Sequence, residues 1–178
     1  MKLNVVQDLA ARTLLVILAA AVVQDFMYMK ISNRLILMGI LFSLAFGFMT
    51  GGLRQVLYVL VNISFPVFVL YLFYLLGVLG AGDIKLFSII GGFTNFKLLT
   101  GCMFYSFVAA AVIAVGKMLY NRNLRISVFK AGIFFRSIPR EGLVSYHKEW
   151  AERRNLMHFS VPILIGYMVA VLHWKLYR

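Results

Sequence analysis

The chain has 178 residues, of which 62% are hydrophobic and 13% are charged, where a globular domain has about 45–50% and about 25%. A soluble domain of this size cannot bury that much apolar surface, so the composition excludes a soluble enzyme, a disordered tail and a nucleic-acid-binding module. The net charge of +12 therefore indicates cytoplasmic loops that face anionic lipid headgroups.

Five apolar runs of membrane length follow one another, and they predict an all-α, polytopic integral membrane protein. The runs are Leu9–Val23, Leu35–Met49, Val56–Leu79, Leu98–Leu119 and Phe159–Leu176. A further run, Leu86–Phe96, covers only roughly 16 Å at ~1.5 Å per residue and can cross a ~30 Å core only by recruiting its flanks. We count it as a sixth transmembrane helix, because Lys85 and Lys97 can snorkel at its ends and Gly91-Gly92 allows close helix packing.

A long polar stretch, residues 121–158, separates the last two spans within a single membrane-embedded domain that covers residues 1–178. Its basic residues alternate with apolar groups such as Ile133-Phe134-Phe135, which predicts a basic amphipathic helix on the membrane surface. If the N-terminus is outside, twelve of the 18 basic residues lie inside and six outside. The positive-inside tendency therefore favours a multi-pass protein of the inner membrane with a cytoplasmic 121–158 loop.

Two of the six acidic residues, Asp25 and Asp83, stand next to otherwise apolar helices. A carboxylate at membrane depth is costly, so such groups are usually paired or functional. In the six-span topology both lie on the cytoplasmic side and can meet. Two carboxylates that share one water can hydrolyse a peptide: the ionised one takes a proton from the water, and the protonated one polarises the carbonyl.

Structural interpretations of the same acids stay open. Asp83 precedes an apolar helical run and can be a helix cap, and Asp25 can balance a nearby basic residue. Gly80 and Gly82 either free the backbone for an extended substrate or form a plain tight turn.

The segment Gly80-Ala81-Gly82-Asp83-Ile84-Lys85-Leu86 resembles the GxGDxKL motif of prepilin peptidases, membrane aspartyl proteases that remove the leader from type IV pilin-like precursors. Asp25 followed by Lys30-Ile31-Ser32-Asn33-Arg34-Leu35 is similar to the family's first motif, although Ser32 replaces the usual proline. The stretch Phe159-Ser160-Val161-Pro162-Ile163-Leu164-Ile165-Gly166 looks like the family's closing Pro-containing segment. The resemblance covers nearly the whole chain.

The resemblance implies a pair of catalytic aspartates with supporting residues from the same motifs. The catalytic pair is Asp25 and Asp83, and the supporting residues are Gly80, Gly82, Lys85 and Asn33. Asn33 is either a hydrogen-bonding support near Asp25 or a helix cap. Lys85 either snorkels to the interface or contacts substrate or headgroups.

The resemblance also implies the partners: a prepilin-like precursor, of the Tad/Flp or archaeal flagellin type, and anionic lipids at the basic loop. Neither a cofactor nor a metal is expected. The single cysteine, Cys102, lies in an apolar run, so the chain resembles a minimal peptidase without the Cys-x-x-Cys methyltransferase domain of larger members. His147 and His158 are interpreted as surface or interfacial residues rather than ligands.

Two other classes of protein stay open as alternatives. A small transporter or a pilus-assembly scaffold would use the acids for ion passage or packing, but a transporter is expected to place them near the membrane midplane between inverted halves. A presenilin-type intramembrane protease shares the GxGD pattern but has a different motif around its first acid. The sequence carries no signal of oligomeric state.

Overall fold

The computed structural model describes residues 2–76, 79–120 and 159–176. Over these ranges the chain forms five helices: α1 (Lys2–Tyr28), α2 (Asn33–Leu75), α3 (Ala81–Phe93), α4 (Phe96–Tyr120) and α5 (Ser160–Leu176). No strand occurs in this part of the chain, which confirms the predicted all-α class. All contacts described below lie within one compact unit, Met1–Ala109 together with His158–Arg178.

Within the described ranges, three helices are long and apolar enough to cross a membrane. The segments that qualify are Asp8–Tyr28, Asn33–Leu75 and Phe96–Lys117, whereas α5 is a shorter apolar helix of 17 residues. Many large apolar side chains on these helices are exposed, among them Phe68, with 82% of its surface accessible. Lipid is the solvent that accommodates such a surface, so the helices indicate a membrane protein.

The 43-residue helix α2 is a hairpin rather than one straight rod. Gly51 and Gly52 interrupt it with non-helical backbone angles, and Gly52 has a φ of 61°, a region that favours glycine. A Cβ added to Gly47 would lie 3.0 Å from Val59 Cγ2. In a straight helix these residues would be about 18 Å apart. The two arms of α2 therefore correspond to the second and third predicted runs.

Helix α3 packs against α1, α2 and α5. Its residues from Leu86 to Gly92 are all buried, as expected for a helix that is apolar all round. Near its C-terminal end, Gly91 lies against the Asn62 carbonyl and Gly92 against the Ser43 side chain, one from each arm of α2. The close packing predicted for the glycine pair is confirmed.

Helix α3 is short, and a side chain of α2 hydrogen-bonds the backbone just after its C-terminal end. Its 13 residues cover about 20 Å, less than the ~30 Å hydrocarbon core. The buried Asn62 donates from Nδ2 to the carbonyl oxygen of Thr94, 3.1 Å away, just after the helix. A carbonyl at a helix end lacks an intrahelical partner, and Asn62 supplies one. The chain can therefore leave α3 without an unsatisfied backbone carbonyl.

Several predicted boundaries are wrong by a few residues. Helix α1 continues to Tyr28 rather than ending at Val23, and the second arm of α2 ends at Leu75 rather than Leu79. Helix α3 begins at Ala81 and ends at Phe93, whereas the predicted run was Leu86–Phe96. The 121–158 loop, with its predicted amphipathic helix and both candidate histidines, lies outside the described residues.

Helices α4 and α5 are antiparallel neighbours. Gly166 of α5 lies directly against Ser106 of α4. Towards the start of α4, the Lys97 ammonium stands 5.1 Å from the centre of the Trp174 ring near the end of α5. A lysine over an indole suits the aqueous edge of a membrane, where both side chains are enriched.

Candidate active site

Asp25 lies in the last turn of α1, where the helix is closed by a hydrogen bond. The Met29 N–H donates to the Asp25 carbonyl oxygen at 2.9 Å, and Met29 itself has a left-handed φ of 51°. The carboxylate of Asp25 is half-buried. Its Oδ2 accepts a hydrogen bond from the Ser160 hydroxyl at 2.6 Å. The start of α5 is thereby joined to the end of α1.

The linker between α1 and α2 is held beside this acid. The Ser32 hydroxyl caps α2 by accepting from the Arg34 N–H at 3.3 Å. The Ser32 N–H in turn donates to Gln24 Oε1 at 3.0 Å. A proline at this position has no N–H to donate. The departure at Ser32 therefore supplies a contact between the linker and the residue that precedes Asp25.

Asp83 is the third residue of α3, and its carboxylate reaches back to cap the helix. Its Oδ2 accepts from the Gly80 N–H at 3.1 Å, and Gly80 is the residue that precedes the first helical turn. A carboxylate at this position is stabilised by the free amides and the dipole of the helix. Asp83 thus caps α3, but it does so from the third position of the helix by bonding back to Gly80, and the N-cap residue itself is Gly80.

Asp83 precedes the apolar run 86–96, and the charge of Asp25 affects the pKa of its carboxyl. Burial raises the pKa of its carboxyl from 3.8 to about 6; the Gly80 hydrogen bond opposes this shift, and the charge of Asp25 adds to it. The two carboxylates, far apart in sequence, therefore lie within electrostatic reach of each other. Such a pair can hold one proton between its members more readily than two isolated acids can.

The supporting residues of the two motifs contact each other. Lys85 Nζ donates to Asn33 Oδ1 at 2.9 Å, which joins the start of α3 to the start of α2. Gly82 lies against the linker, since a Cβ there would stand 3.3 Å from Ile31 Cδ1. Asn33 is therefore joined to α3 by its hydrogen bond with Lys85, and the cap of α2 is its neighbour Ser32. All six predicted site residues are brought to one end of the helix bundle.

Two residues of this region were not predicted as site residues, Ser160 and Gln24. Ser160 is a polar residue at the start of an apolar run, a signal that could have marked it. The role of Gln24 depends on the fold of the linker, which no local pattern indicates.

The burial of Asp83 predicts a pH-dependent stability. Its stabilising contribution is fully present below its ordinary pKa of 3.8 and is lost as the pH rises through about 6, because its charged form is the costly one. We expect the unfolding midpoint of the wild type in detergent to fall, relative to that of Asp83→Asn, between about pH 4 and about pH 8.

Asp8→Asn is the matched control, because Asp8 is an exposed carboxyl on α1. Its midpoint should follow that of the wild type at every pH. A constant difference between the wild type and Asp83→Asn across the pH range would contradict the burial of this carboxyl.

A family model described as the type IV leader peptidase family matches residues 13–115. The match covers more than half of the chain and contains Asp25, Asp83 and the four supporting residues, whereas Ser160 lies beyond it. Comparisons with curated proteins and with solved structures gave no match.

Proposed function

Since the chain belongs to the type IV leader peptidase family, we propose that it is a membrane aspartic endopeptidase that removes the basic leader from type IV pilin-like precursors. The observation that carries this proposal is the electrostatic influence of Asp25 on Asp83 at one end of the bundle. Precursors of the Tad/Flp or archaeal flagellin type are the proposed substrates.

The proposed reaction needs one water and no cofactor. The ionised carboxylate takes a proton from the water as its oxygen attacks the scissile carbonyl carbon. The protonated carboxyl gives its proton to the carbonyl oxygen, so that a neutral tetrahedral diol forms. When the diol collapses, the C–N bond breaks and the amine leaves with the proton that the first carboxylate had taken. The hydroxyl proton returns to the second carboxylate, and the pair is restored.

We further propose that the site faces the cytoplasm in a six-span topology. Four helix ends meet at the site: the end of α1 and the starts of α2, α3 and α5. The contact between Lys97 and Trp174 joins the opposite ends of α4 and α5. These contacts support a chain that crosses back and forth, with α2 contributing two crossings. The 121–158 loop would then lie on the inner leaflet, where its basic residues attract anionic lipid.

Single-cysteine labelling tests this topology. In a Cys102→Ala background, we expect a membrane-impermeant thiol reagent on intact cells to label cysteines placed at Asn95, Arg54 and Arg178. A cysteine at Ser145 should be protected, because its loop is cytoplasmic. Both Asn95 and Arg54 are exposed. Labelling at Ser145 with protection at the other positions would overturn the orientation.

The transporter or scaffold alternative is less well supported by the position of the acids. Asp25 lies in the last turn of α1 and Asp83 in the first turn of α3. A proton or cation path needs acids near the middle of a span. The hydrolase is therefore the function that the site supports best.

Coexpression with a pilin-like precursor tests the proposed function. The precursor should carry a basic leader, a Gly before the cut and an apolar helix after it. We expect a shorter product that begins just after the leader. A precursor that stays intact beside well-expressed, membrane-inserted protein would contradict the proposal.

A further inference from the structure

We propose that Ser160 is a positioning residue that orients the carboxylate of Asp25, so that Asp25 rather than Asp83 accepts the proton from the attacking water. This inference rests on the proposed function. It assigns a separate role to each member of the pair, and it adds to the site a residue from outside the family match.

A buried hydroxyl makes a short hydrogen bond to Asp25. Ser160 is only 1% exposed, and its Oγ lies 2.6 Å from Asp25 Oδ2. A hydroxyl that is itself fixed by burial restricts the orientation of the carboxylate that accepts its hydrogen bond. Because Ser160 is also the first residue of α5, the positive end of the helix dipole lies at the same place.

The surroundings of Asp83 differ from those of Asp25. Asp83 Oδ2 accepts one backbone N–H, from Gly80, but burial still raises the pKa of this carboxyl to about 6. Asp83 therefore keeps its proton to a higher pH than an ordinary aspartate. Two carboxyl groups whose environments differ in this way take the acid and base roles of a hydrolytic pair.

Substitution at Ser160 tests the inference by kinetics on a precursor. We expect Ser160→Ala to lower kcat by about 10–100-fold while KM stays within about twofold, because a hydrogen bond to a charged group is lost without loss of substrate contacts. Ser160→Thr keeps the hydroxyl and should recover most of kcat.

Ser88→Ala is the matched control. Ser88 is also buried, but its hydroxyl bonds the Ile84 carbonyl of its own helix at 3.1 Å. Its removal should leave kcat unchanged, and the unfolding midpoint of every variant shows that it is folded. A kcat of Ser160→Ala equal to that of the wild type, or a Ser160→Thr variant no more active than Ser160→Ala, would overturn the inference while wild-type cleavage leaves the proposed function standing. A wild type that cleaves no precursor would instead overturn the proposed function itself.

Discussion

Replacement of either Asp25 or Asp83 by asparagine is expected to abolish leader removal and to leave the protein inserted in the membrane. Asparagine keeps the size of the side chain and an oxygen that can accept from Ser160 Oγ or from the Gly80 N–H. It can neither take a proton from water nor give one to a carbonyl. Each loss should lower the rate by about 10³-fold or more. The measurement is leader loss from a coexpressed precursor, followed on a gel.

The Asp8→Asn variant should process the precursor at the wild-type rate. Asp8 is exposed and lies near the start of α1, whereas Asp25 lies in the last turn of the same helix. Equal membrane levels of all the variants show that loss of activity is not loss of protein. Normal processing by either Asp25→Asn or Asp83→Asn would eliminate the two-aspartate mechanism.

Gly91→Ala should be strongly destabilising. A Cβ at this position meets the backbone carbonyl of Asn62 and lies 3.1 Å from Leu99 Cδ2. The backbone of α2 cannot rotate away as a side chain can, so α3 must shift. The shift also strains the hydrogen bond from Asn62 to Thr94. We expect a loss of about 1–3 kcal/mol in the free energy of unfolding, measured as a lower thermal midpoint in detergent.

Gly101→Ala is the paired control on α4. A Cβ at this position meets nothing within 4 Å, and alanine favours a helix over glycine by about 1 kcal/mol. Its unfolding midpoint should therefore be unchanged or higher. Similar midpoints for Gly91→Ala and Gly101→Ala would show that α3 is less closely packed than the structure indicates.

The helices were largely predictable because hydropathy reports burial in lipid directly. The runs Leu98–Leu119 and Phe159–Leu176 agree with α4 and α5 to within a few residues. The break in α2 was predicted at the right place, since Gly51 and Gly52 separate two apolar runs. Helix ends were less predictable, because caps and packing decide them. The extension of α1 through Asp25 to Tyr28 is an example.

Contacts between distant segments account for most of what the sequence does not reveal. The pairing of Lys85 with Asn33 joins two motifs whose spacing in sequence says nothing of their distance in space. The bond from Ser160 to Asp25 arises because α5 returns to the end of α1. The sequence patterns could single out both aspartates as anomalous acids in an apolar chain. They could not show which partners distinguish one acid from the other.

Incubation of the purified protein with a purified precursor, followed by mass spectrometry of the products, is the most direct test of the two-aspartate hydrolysis. The account predicts two fragments whose masses add up to that of the precursor plus one water, with cleavage at the end of the leader. Neither fragment should form with Asp25→Asn or Asp83→Asn. An intact precursor with the wild type, or the same two fragments with either variant, would contradict it.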